Sequence, residues 1–134
     1  DTLYLVSGTL AVTSAATVTL VANVENLDAS ATGATGLTLK GNLLANSITG
    51  SAGNNTIDGL AGNDTLAGGG GVDMLIGGLG ADTFVFGAAT AFDGIDVIKD
   101  FNRAQGDKID ISDVLGTYDA LTDDIADFVS VVAS

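Results

Sequence analysis

The 134-residue chain has no cysteine, no histidine and no tryptophan, and sets four basic residues against seventeen acidic ones. Without cysteine there is neither a disulfide framework nor a thiolate metal site. Without histidine there is no imidazole zinc ligand, no Ser–His couple and no metalloprotease helix. Aromatics are scarce, five Phe and two Tyr, so a thick core of large side chains is not expected. No apolar run reaches membrane-spanning length, so no membrane insertion is expected. A net charge of −13 lacks the basic footprint that nucleic acid requires. The single glutamate, Glu25, is far from the aspartates, which removes an EF-hand with its closing glutamate. No nucleophile turn of the G-x-S-x-G kind occurs, and the "GGGG" at 68–71 is followed by no Gly-Lys-Ser/Thr, so catalysis and phosphate binding are set aside. No cleavable signal peptide is visible, and the opening "DTLYL" starts in mid-pattern, as in a segment of a larger protein.

What remains is acid, glycine and small apolar residues, in three zones. Residues 1–40 are rich in Thr, Val and Leu, with short alternating pieces at Val18–Leu20 and Leu37–Leu39 that read as strands of lead-in coils. Residues 41–85 are glycine-rich. Residues 86–134 hold most of the bulky apolar residues, and "GIDVIKDFNRAQGDKIDISDVL" reads as strand, turn, strand and short helix. A second helix is expected over "LTDDIADFV", with Thr122 as its N-cap.

The middle zone is a repeat. In nines from Gly41 it reads GNLLANSIT, GSAGNNTID, GLAGNDTLA, GGGGVDMLI, GGLGADTFV. Position one is always glycine, and position four is glycine in all units but the first, where Leu44 stands. Position six is Asn46, Asn55, Asp64, Asp73 and Asp82; position eight is Ile48, Ile57, Leu66, Leu75 and Phe84. One inward apolar residue between two outward ones is a three-residue strand. The other six residues must reverse the chain, which is what the glycines permit. Two units then make one turn of a flat coil, with Ile48, Leu66 and Phe84 stacked on one sheet and Ile57 and Leu75 on the other. The expected fold is all-β: a right-handed parallel β-roll, its open end capped by the C-terminal segment through Ile95, Val97, Ile98, Phe101, Ile109, Ile111, Val114 and Leu115.

Bends on one side of such a coil come from alternate units, so Asp64 lies under Asp82 and Asn55 under Asp73. Stacked carboxylates repel, glycine bends leave carbonyls without partners, and the core is thin. A hard divalent cation answers all three. Calcium accepts six to eight oxygens, carboxylate and carbonyl alike, whereas magnesium holds its waters and demands a rigid octahedron. Several calcium ions are therefore expected, with folding conditional on them.

GLAGNDTLA, GGGGVDMLI and GGLGADTFV resemble the nonapeptide of the RTX (repeats-in-toxin) family, G-G-x-G-x-D-x-U-x. The resemblance implies calcium aspartates at Asp64, Asp73 and Asp82; the first two units depart from the pattern, with Asn55 in the aspartate place as an uncharged ligand and the Asn46 bend expected to bind weakly or not at all. It implies carbonyl ligands at Gly59, Ala61, Gly68, Gly70, Gly77 and Leu79. "GADTFVFG" and "DVIKDF" resemble the C-terminal region of type I secretion substrates, which adds Asp96 and Asp100 as candidate ligands of a last ion. The implied partners are calcium and the type I secretion machinery, the implied location the medium or the surface of a Gram-negative cell. "VENLDAS" resembles the lead-in of large adhesins, which implies a monomeric module of an adhesin or surface-layer protein. A secreted protease or lipase with its catalytic domain upstream is the competing reading.

Overall fold

A computed structural model of the chain describes residues 2–6, 16–90, 93–115 and 129–131. The strands are β1 (Thr2–Val6), β2 (Thr17–Thr19), β3 (Asn26–Ala31), β4 (Thr38–Lys40), β5 (Ser47–Thr49), β6 (Thr56–Asp58), β7 (Thr65–Ala67), β8 (Met74–Ile76), β9 (Thr83–Val85), β10 (Asp96–Ile98), β11 (Lys108–Asp110) and β12 (Val129–Val131), with a single helical turn, α1 (Ser112–Leu115). Odd-numbered strands form one sheet in the order β1-β3-β5-β7-β9-β11, and even-numbered strands the other, β12-β10-β8-β6-β4-β2. Every pairing is parallel. Strands consecutive in sequence never neighbour each other within a sheet, so the chain crosses from sheet to sheet at every bend. That is a parallel β-roll, the architecture which the nine-residue period predicts.

Each strand of the repeat covers positions seven to nine, with position eight pointing inward. Ile48, Ile57, Leu66, Leu75 and Phe84 are all at most 1% exposed. In register, Ile48 lies against Leu66 and Leu66 against Phe84 in one sheet, and Ile57 against Leu75 in the other. The stack continues beyond the repeat. Leu27 and Leu39 extend it below, Ile98 above, and all three are buried. The lead-in strands are each displaced by one residue from what the alternation suggests, the first earlier, at 17–19, and the second later, at 38–40. The reason lies in which residue faces in: it is the middle one, Leu39 in β4, and the flanking Thr38 and Lys40 are only half-buried.

The C-terminal segment has the expected strand, turn, strand and short helix up to Leu115. Ile98 and Val114 join the core, and Phe101, Ile109 and Ile111 pack against it. Phe101 lies 6.3 Å from the Phe84 ring, centroid to centroid, in a tilted arrangement. Ile95 does not take part in the cap. It precedes β10 at a bend and is 54% exposed, and Val97, flanked by the inward-facing Asp96 and Ile98, points out. The helix expected over "LTDDIADFV" falls on residues outside those described, apart from Val129, which opens β12.

The bends explain the glycine pattern. In the last three units positions two and four sit in the left-handed region: Gly69 and Gly78 at φ +99° and +97°, Gly62, Gly71 and Gly80 at +123°, +94° and +135°. In one unit the residue at position two is Leu60, at φ +75°. A leucine there carries a strain that glycine escapes.

Candidate metal sites

The residue at position six enters each strand from the bend, and its side chain turns into the space beneath the glycines. Asp64, Asp73 and Asp82 are each 1% exposed, a burial that carboxylates reach only when paired. Two columns result. On one edge of the roll Asn46, Asp64, Asp82 and Asp107 follow one another. On the opposite edge the order is Asn55, Asp73, Asp96.

One hydrogen bond repeats along both columns. The backbone N–H of each position-six residue donates to Oδ1 of the acid one coil further on. Asn46 donates to Asp64 at 2.7 Å, Asp64 to Asp82 at 2.9 Å and Asp82 to Asp107 at 3.0 Å. On the other edge Asn55 donates to Asp73 at 2.7 Å and Asp73 to Asp96 at 2.8 Å. This ladder occupies one oxygen of each carboxylate. The second oxygen, Oδ2 of Asp64, Asp73 and Asp82, is buried with no hydrogen-bond partner at all. An unsatisfied buried carboxylate oxygen is costly and calls for a positive partner.

The surroundings of that oxygen identify the kind of partner. Glycine at position one is indispensable because the acid lies against its α-carbon. A Cβ on Gly59 would meet Asp64 Oδ2 and come within 2.7 Å of the Gly77 carbonyl oxygen. On Gly68 it would collide with Asp73 Oδ2, and on Gly77 with Asp82 Oδ2. Beside Gly59, then, a carboxylate oxygen of one coil and a carbonyl oxygen of the next converge, and neither carries a proton to share. Among the described residues no three acidic side chains gather closely enough to hold an ion by themselves. Any cation here must take peptide carbonyls as well, and such an all-oxygen set suits calcium.

Electrostatics point the same way. Burial pushes the Asp64 and Asp73 carboxyls up to about 6, against the lowering effect of the N–H groups they accept from Asn46 and Asn55; the neighbouring charges of Asp82 and Asp96 add to the rise. Burial also raises Asp82, with Asp107 and Asp100 contributing, and raises Asp96.

The other sequence candidates divide. Gly59, Gly68 and Gly77 present their carbonyls to the preceding coil, beside Gly41, Gly50 and Gly59 respectively. The Leu79 carbonyl accepts the Gly62 N–H at 2.8 Å, within a bridge that pairs Ala61 with Leu79. Gly70 donates its N–H to the Ser51 carbonyl at 3.1 Å and lies near the Asp93 carboxylate. Asp96 joins its column directly. Asp100 does something different: its two oxygens accept the N–H groups of Gly77 and Gly78 at 2.9 and 2.7 Å, closing the last glycine bend as a carboxylate cap. Asp107 was not among the sequence candidates. It continues the Asp64–Asp82 column, and its second oxygen accepts the Asn102 N–H at 2.8 Å. The signal that marks it is an acid two residues before an inward apolar one, Asp107 before Ile109, as Asp82 stands before Phe84.

A roll of stacked bends, three of them with a buried carboxylate oxygen lacking a partner, is a β-solenoid with the donor set of a cation-binding protein. Residues 41–75 and 49–84 match the model of the RTX calcium-binding nonapeptide repeat, in four copies. The chain thus carries an RTX calcium-binding module. Among curated proteins and among solved structures, none matches this chain.

Proposed function

We propose that Asp64, Asp73 and Asp82 each hold a calcium ion between successive coils, and that these ions switch the roll from an unfolded to a folded state. The observation that carries this reading is the trio of buried Oδ2 atoms without partners. The remaining ligands are carbonyls of the position-one and position-three residues Gly59, Ala61, Gly68, Gly70, Gly77 and Leu79, with Asp96 facing the Asp73 ion. Metal-free, burial first and neighbouring acids second raise these carboxyls, and the glycine bends keep their full chain entropy in the unfolded state. Calcium removes the first penalty and offsets the second, so binding energy becomes folding energy.

Such a chain suits export. In a calcium-poor cytosol its calcium-dependent coils stay threadable, and outside, at roughly millimolar calcium, sites with dissociation constants on the order of 10⁻⁴–10⁻³ M fill. Folding beyond the membrane then opposes return. We assign the module to a type I exported protein, a large adhesin or surface-layer protein in preference to a protease or lipase. The support is the lead-in "VENLDAS", which resembles that of large adhesins more than that of proteases. No catalytic step is assigned to it.

The experiment is a calcium titration followed by circular dichroism, with chelator reversal. A β signal that grows with calcium and falls in chelator is expected. A signal already complete in chelator and indifferent to calcium refutes the switch.

A further inference from the structure

Asn55 occupies the place in its coil that Asp64 and Asp73 occupy in theirs, yet no atom of its side chain lacks a partner. Its Oδ1 accepts the Leu37 N–H at 3.1 Å and the Ser51 hydroxyl at 3.0 Å. Its Nδ2 donates to the Gly53 carbonyl at 2.6 Å, the Gly68 carbonyl at 3.1 Å, Asp73 Oδ1 at 3.1 Å and, more weakly, the Ser51 carbonyl at 3.4 Å. The comparison with Asp64 decides what this means. Beside Gly59, Asp64 Oδ2 faces the Gly77 carbonyl of the next coil, oxygen against oxygen. Beside Gly50, at the equivalent point, Asn55 Nδ2 faces the Gly68 carbonyl of the next coil, donor against acceptor. One nitrogen gathers two bend carbonyls and a carboxylate oxygen, the same chemical groups that a calcium ion would collect.

We propose that the Asn55 amide is a built-in substitute for the cation at this junction: it ties the coil of Asn55 to the coil of Asp73 without metal. The inference refines the calcium reading and rests on it. On this edge metal dependence therefore begins one coil later, at Asp73. Below Asn55 the corresponding residue is Leu37, which is buried and apolar and presents no carboxylate to neutralise. The coils from β2 to β8 form a base that is ordered before calcium arrives, and the coils above it are stacked on that base as ions bind. On the other edge Asn46 is turned the opposite way. Its Nδ2 reaches down to the Glu25 and Val24 carbonyls at 3.3 and 3.4 Å, fastening the coil beneath it, and its Oδ1 holds the Asn42 N–H at 2.8 Å.

The test combines hydrogen exchange and ion counting on the whole chain. In chelator, amides of residues 37–76 are expected to exchange about tenfold or more slowly than those of residues 83–98. Loss of protection at the same rate in both stretches overturns the proposal. Asn55→Asp is expected to bind one more calcium ion per chain by equilibrium dialysis, and to lose the chelator-resistant protection. An unchanged ion count in Asn55→Asp, with calcium bound by the native chain, overturns the substitute role alone. A native chain that binds no calcium overturns both it and the reading beneath it.

Discussion

Asp64 donates its backbone N–H to Oδ1 of Asp82 at 2.9 Å, and Oδ2 of the same Asp82 meets no donor. The two oxygens of one carboxylate thus have separate tasks. The first is a rung that sets coil upon coil, and the second is left for a cation. Removing such an acid costs both. Asp73→Ala is expected to weaken calcium binding on the order of 10–100-fold, a loss typical of damage to a metal site's ligand shell. Asp113→Ala, at an exposed position in α1, is expected to leave it unchanged. Isothermal titration of both variants against the native chain measures the difference.

Gly68 tests the close approach. An alanine there drives its Cβ into the Asp73 carboxylate, with Cγ at 2.6 Å and backbone-linked Cβ at 2.8 Å, so neither side can yield cheaply. Gly68→Ala is expected to destabilise the calcium-loaded roll by about 1–3 kcal/mol, as overpacking does. Gly87→Ala meets only the Thr90 hydroxyl at 3.8 Å and is expected to stay within about 0.5 kcal/mol of native. Urea unfolding in saturating calcium separates the two.

Leu60 carries strain that can be relieved. At φ +75° it holds the place that Gly69 and Gly78 take in the following units. Leu60→Asn suits the left-handed region without adding glycine's freedom to the unfolded chain, and is expected to stabilise by up to about 1 kcal/mol. A thermal midpoint in calcium that rises confirms the strain; one that falls shows that the leucine side chain matters more than its backbone.

The raised carboxyls fix the sign of the pH response. Asp64 and Asp73 sit near 6 in the folded, metal-free roll and near 3.8 when unfolded, so the folded state holds more protons between those values. Metal-free stability is therefore highest below about 4, declines as pH rises through 6, and is least above it. Acid partly replaces calcium. In chelator, the β signal at pH 5 is expected to exceed that at pH 7.5. Calcium affinity is expected to run the other way and drop below pH 6, because protons compete for the same oxygens.

The nine-residue period made the strands, the two sheets and the two columns legible, because inward Ile48, Ile57, Leu66, Leu75 and Phe84 can share a core in only one coil geometry. What the period could not carry is whatever breaks it. Asp107 pairs its coil at a separation of 25 residues and Asp96 at 23, where the repeat uses 18. An acid outside the count is invisible to counting. The role of Asp100 was hidden for another reason: a ligand and a cap are both carboxylates near glycine, and only the N–H groups of Gly77 and Gly78 tell them apart. The same holds for Asn55, whose amide resembles a weak ligand until its donors are placed.

The uneven coil lengths have a further consequence. Within the glycine units one coil could slide past its neighbour by a whole turn, and one inward apolar residue would replace another and Asp64 would replace Asp82. Nothing in the repeat itself forbids that error, since register is enforced only where a shift moves a side chain to the wrong face. The irregular ends forbid it. Coils 21 residues apart below the repeat, and 23 and 25 above it, allow a single alignment of β3 with β5, β8 with β10 and β9 with β11. The non-repeating flanks act as the index marks on an otherwise unmarked ruler, and a chain trimmed to its glycine units alone would lose the means to find its place.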